Sequence, residues 1–164
     1  MNEVSSVEEG INSYDVRVLD HDFCKNLFDN KFEQLEKRLR PDKDTIKTAQ
    51  KKMGVTFGEE FTWILTDYGK LSYYYFDMLG LYRDNPEKSV MIRRTLQYRR
   101  LSKKLDKLFV IAVPNDAYAV CCDALDDVFL YSIWDDRLID IKMHVASYIA
   151  GEGLAAEEWD KNEP

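Results

Sequence analysis

Three apolar runs crowd the stretch from residue 108 to residue 134: LFVIAV, AYAVCC and VFLYSIW. Only the turn signals PND and DALDD separate them. Parallel neighbours in a sheet need a crossover of a dozen or more residues. Links this short therefore force an antiparallel meander. Such a sheet must bury at least one face, and the rest of the chain has to supply the cover. At 164 residues, a single domain can bury roughly 70% of the surface its unfolded chain exposes. With 45% hydrophobic residues, the composition is that of a globular chain.

The cover is helical. Cys24, Leu27, Phe28, Phe32, Leu35 and Leu39 recur at three- and four-residue steps, which predicts one helix that Pro41 stops. DKDTIKTAQKKMG predicts a second, short helix capped by Asp42 or Asp44, with Ile46, Ala49 and Met53 inward and Gly54 at its end. After the link VTF, Gly58 opens a third helix, and Glu59 and Glu60 suit its positive end. Phe61, Ile64, Leu65 and Tyr68 face inward there, Phe57 staples the entry and Gly69 closes it. LSYYYFDML reads as a strand, EKSVMIRRTLQYRRLSKKL as a basic helix with Met91, Tyr98, Leu101 and Leu105 inward, and IDIKMHVASYIAG as a last helix ending at Gly151. YDVRVLD is a short strand or a surface arm. The order gives an α+β fold, a mostly antiparallel curved sheet with helices packed on one face. The core should include Phe61, Ile64, Leu65, Phe76, Val110, Val120, Leu130 and Ile149.

Chemical signatures are sparse. No phosphate-cradling glycine motif is present. The two histidines, His21 and His144, lack convergent partners at metal-ligand spacing. Cys24, Cys121 and Cys122 are odd in number, and two are adjacent, so they make no disulfide framework. They read as small buried hydrophobes in a reducing compartment. On a strand, Cys121 and Cys122 would point to opposite faces. Paired carboxylates such as Asp126–Asp127, Asp135–Asp136 and Glu157–Glu158 are chain neighbours, whereas catalytic pairs converge from different elements. These observations predict a non-enzymatic protein with no cofactor and no metal. The acidic N-terminus lacks the apolar core of a secretory signal, and no run is long enough to span a membrane. A cytoplasmic protein that binds neither membrane nor nucleic acid follows.

At this point a resemblance enters. AQKKMGVTFGEEFTWILTDYG (49–69) resembles the early signature of the SUKH superfamily, with Gly54, Phe57, Glu60, Phe61, Leu65, Tyr68 and Gly69 in the recurrent places. LGLYR (79–83) is similar to the family's glycine-leucine step. SVMIRRTLQYRR is similar to its helix through Val90, Thr95 and Arg99, and VFLYSIWDDRLI to its later strands through Trp134 and Asp135. The resemblance covers about residues 44–150. It divides the chain into an N-terminal arm and helix (1–40), a SUKH-like domain (41–151) and an acidic tail (152–164). It also implies a bacterial immunity protein, which binds a cognate polymorphic toxin, often a nuclease, and blocks it without catalysis. The family's other branch implies an interaction scaffold without a toxin partner. The oligomeric state expected is a monomer or weak dimer.

Charge suggests where such a partner would dock. Residues 1–114 hold 20 basic against 18 acidic residues, net +2, and residues 115–164 hold 3 against 12, net −9. The seven cations from Arg93 to Lys107 read as a solvated face pairing with this acidic third. In a meander, Trp134, Asp135 and Asp136 return to the end that carries Asp116. Asp116, Tyr118, Trp134, Asp135 and Asp136 would then form an aromatic-centred acidic patch for a basic partner. The other reading of the same residues is a core tryptophan flanked by turn-forming acids.

Overall fold

The computed structural model describes residues 7–9, 19–86 and 89–162. The meander forms as expected: β5 (Phe109–Ala112), β6 (Tyr118–Cys122) and β7 (Asp127–Ser132) are antiparallel neighbours. A fourth strand, β8 (Arg137–His144), continues it, and β1 (Val7–Glu9) adds in parallel outside β8. The sheet order is β1-β8-β7-β6-β5. A second, antiparallel sheet joins β2 (Glu33–Gln34), β3 (Leu71–Tyr73) and β4 (Phe76–Asp77). The helices are α1 (His21–Asn30), α2 (Lys43–Met53), α3 (Glu59–Tyr68), α4 (Val90–Arg99) and α5 (Val145–Asn162). The fold is α+β.

Strand alternation sorts the side chains into two clusters. Phe109, Ile111, Val120, Cys122, Ile141 and Met143 join α1, α2, α3 and α5 in the main core. Val110, Ala119, Cys121, Tyr131 and Leu138 point the other way, onto Tyr98 of α4 and Leu105. Cys121 and Cys122 thus lie on opposite faces, both buried and unbonded. Of the expected core, Phe61, Ile64, Leu65, Phe76, Val120 and Ile149 are buried in the main cluster; Val110 is buried in the second, and Leu130 is half-buried. Cys24, Leu27, Phe28 and Phe32, from before residue 40, share the main core with the helices after it.

The link between α2 and α3 resolves into an exchange of caps. Asp42 caps α2, accepting from the Thr45 amide at 2.9 Å. Gly58 at the start of α3 has no side chain to do the same. Asp126, from the turn before β7, accepts instead from the Glu60 and Phe61 amides at 3.0 and 2.9 Å. A Cβ at Gly58 would lie 2.4 Å from that carboxylate, so only glycine admits the contact. Glu60 in turn accepts from the Ala146 amide of α5 at 2.7 Å. The two carboxylates therefore satisfy the starts of α3 and α5 in turn, Asp126 that of α3 and Glu60 of α3 that of α5.

Four expectations need correction. The first helix ends at Asn30, because the chain turns into β2 and a short 3-10 turn at Lys37–Leu39; Leu35 and Leu39 are only half-buried. LSYYYFDML is a hairpin, not one strand, with Tyr74 in the left-handed conformation (φ 51°) at its tip. The basic helix stops at Arg99, and Leu101 lies exposed in the following turn. Residues 139–144 are strand rather than helix, and α5 runs through Gly151 to Asn162. Ile139, Ile141 and Met143 keep a two-residue period into the main core; pairing with β7 fixes the strand on either side, at Arg137–Asp140 and again at His144, with a bulge between that holds Lys142 at φ 59°. YDVRVLD falls largely outside the described residues.

Candidate functional site

The meander brings the expected surface residues to one end of the sheet. Tyr118 lies opposite Ser132, and the Ile133 amide donates to the Ala117 carbonyl at 2.9 Å. The turn carrying Asp116 is thus the immediate neighbour of the four-residue turn 133–136. Trp134 sits at the tip of that turn and is 82% exposed. The core reading of Trp134 is excluded, and an indole this open lacks apolar cover.

The acids around it divide. Asp116 is exposed and is not the turn former, since Asn115 Oδ1 accepts from the Ala117 and Tyr118 amides at 2.8 and 3.1 Å. Asp135 accepts from the Ser132 hydroxyl and pairs with Arg137 at 2.8 Å. The Ser132 hydroxyl first, and Arg137 after it, hold its carboxyl below the usual range. Asp136 accepts from the Tyr131 hydroxyl at 2.9 Å and pairs with Lys104 at 3.5 Å. The Ser102 and Tyr131 hydroxyls, with Lys104 behind them, lower its carboxyl likewise. Both acids brace the turn and are locally neutralised. The dominant feature is a tryptophan held on a fixed support, with Tyr118 and the free carboxylate of Asp116 beside it.

A second set of residues extends this end of the molecule. The Leu79 amide donates to the Ile111 carbonyl at 2.7 Å, which lays the chain after β4 against the edge of β5. The β3–β4 hairpin consequently presents Tyr75, 60% exposed, next to Pro114 at the start of the β5–β6 turn. Between them and α5 lies a cavity of about 130 Å³ with Tyr148 and Glu152 in its wall. Sequence reasoning missed this cavity. The signal was the triplet Tyr73–Tyr74–Tyr75, because three consecutive tyrosines in an extended chain cannot all face inward.

The remaining reactive groups are engaged in packing. Burial pushes the Cys24 thiol up to about 11 and the Cys121 thiol to about 12, and raises Cys122 as well. Thiols in that state are protonated at neutral pH and poor nucleophiles. The His21 ring packs on Trp63, with centroids 4.4 Å apart, and His144 lies 3.8 Å from Asp127 at the surface. Among the described residues no group of three or more His, Cys, Asp or Glu side chains could hold a metal ion. Arg99 of the basic helix turns inward, donating to the carbonyls of Met53, Leu105 and Leu108, while Lys104 pairs with the acidic third through Asp136. No described helix is long and apolar enough to cross a membrane.

A SUKH-type family model, described as SMI1-KNR4 cell-wall, matches residues 21–147. The match takes in α1 through the first turn of α5, and so nearly all of both sheets. No curated protein matches the chain.

Proposed function

The chain belongs to the SUKH (SMI1-KNR4) family, and on that premise we propose that it is a cytoplasmic immunity protein that binds a cognate polymorphic toxin and neutralises it by occlusion, without catalysis. The observation that carries this reading is Trp134. A tryptophan 82% exposed on a turn fixed by two ion pairs is a poor stability element and a good anchor for a partner. Asp116 and Tyr118 on the neighbouring turn and strand, with Tyr75 beyond them beside Pro114, supply the aromatic centre and acidic margin that suit a basic protein surface. A nuclease cleft, which must attract phosphates, has that basic character.

The reading expects a toxin gene beside this one, and the test is co-expression with the toxin domain that gene encodes. Cells carrying the toxin alone should stop growing, and cells that also make this protein should recover. The purified toxin domain should lose activity at one equivalent of the protein. Binding without recovery of growth would make the protein an interaction scaffold and remove the immunity reading.

A further inference from the structure

The cavity at the hairpin edge is chemically uneven. Ala112, Val113 and Pro114 give it an apolar wall, and Tyr75, Phe76 and Tyr148 give it rings. Glu152 is its carboxylate without a cation. Asp77, also in the wall, is already paired with Lys70 at 2.9 Å and accepts from Ser72. Glu152 has no ion pair with any described Lys or Arg. Burial raises its carboxyl above the ordinary range, and the Tyr148 hydroxyl one helical turn away opposes part of that rise. A half-buried carboxylate facing apolar walls is costly to keep charged unless a cation joins it. The volume is close to that of a cavity known to hold a benzene ring, which is about 150 Å³.

We propose that this cavity is the seat for one lysine or arginine side chain of the partner protein, with its stem along Ala112, Val113 and Pro114 and its charged head at the Glu152 carboxylate. Rings in the wall add to the attraction, since an aromatic face draws a cation. The seat lies at the same end of the sheet as Trp134, so one partner surface can use both. The inference rests on the partner-binding reading above and narrows the partner's contact to a protruding basic residue.

The seat is tested on the full chain with small cations in place of the partner. n-Butylammonium and n-propylguanidinium mimic the two side chains, and 1-butanol is the neutral control. The Glu152 carboxyl carbon and the Tyr148 ring are followed by NMR. Either cation should shift both signals saturably and bind about tenfold more tightly than 1-butanol, the factor expected of one charge-assisted hydrogen bond. Cation affinity should rise with pH as Glu152 loses its proton. The other titratable groups at the seat are Tyr75, Tyr148 and the paired Asp77; the β5 wall has none. Glu152→Gln should abolish both the preference and the pH dependence. Tyr75→Ala, at an exposed position, should weaken cation binding several-fold with the melting temperature unchanged, and it carries the test if Glu152→Gln does not fold. Equal binding of 1-butanol, or a cation preference surviving in Glu152→Gln or undiminished in Tyr75→Ala, would overturn the seat. Since no partner is present, such a failure leaves the immunity reading standing. A seat that fills in a protein that neutralises no toxin would have the opposite meaning.

Discussion

Asp126 is the residue on which three elements meet. Its carboxylate holds the first amides of α3, and its carbonyl accepts from the Val145 amide at the start of α5 at 2.9 Å. Replacing it by Ala strands two α3 amides and should cost about 1.5–3 kcal/mol, the range for hydrogen bonds to a charged group. Urea denaturation measures this directly, and a loss below about 0.5 kcal/mol would mean water replaces the cap. Glu60 makes a complementary prediction about pH. Burial raises its carboxyl above the ordinary value near 4.5, the Ala146 amide pulls it back, and Asp126 adds to the rise. A group raised on folding contributes stability that is present below its unfolded value and lost as pH climbs through the folded one. The stability of the wild type relative to Glu60→Gln should therefore shrink as pH rises above about 4.5. A gap that widens with pH would show that the ionised form is the one the fold prefers.

At the scale of elements, α3 is the piece whose sequence and structure agree most closely. Phe61, Ile64, Leu65 and Tyr68 are buried as their spacing predicts, and Phe57 packs edge-on against Phe61 with ring centroids 5.2 Å apart. Leu65→Ala should cost about 2–5 kcal/mol, as for other fully buried leucines. A melting temperature near that of the wild type would show the site collapsing around the smaller side chain. The elements that sequence reasoning misassigned share a cause, which is that a tertiary contact overrides a local signal. Gly151 and Gly153 look like a helix end, yet α5 continues through both. A Cβ at Gly153 would lie 2.4 Å from the Phe32 ring, so glycine there serves close packing. RLIDIKMH carries a two-residue period short enough to blend into the helical pattern that follows, and only its β7 partner settles the matter. The candidate site was legible in the same measure. Antiparallel topology was enough to bring Asp116, Tyr118 and Trp134 to one end. The Asp135–Arg137 pair is local, but the pairing of Asp136 with Lys104, and the cavity under Tyr75, depend on contacts between elements far apart in sequence.

For the molecule as a whole, charge is divided by surface as well as by chain position. Residues 43–56 and 90–108 hold 11 basic against 2 acidic residues, net +9, and the remainder holds 12 against 28, net −16. Helices α2 and α4, which carry most of these cations, pack side by side, while Arg99 turns inward and Lys104 reaches Asp136. Lys47, Lys51 and Lys107 line an open groove. The sheet end with Trp134 belongs to the acidic remainder. A basic partner should therefore associate more slowly as salt rises, because the Debye length falls from about 10 Å at 0.1 M to about 3 Å at 1 M. Stopped-flow rates independent of ionic strength would separate the acidic surface from recognition. The central claim is that Trp134 anchors the partner. Titration calorimetry with the purified toxin domain, comparing wild type and Trp134→Ala, tests it most directly. The account predicts a loss of about 30-fold in affinity, the size of a 2 kcal/mol hot spot, with stability changed by less than about 0.5 kcal/mol. Affinity within twofold of wild type in a fully folded variant would contradict it.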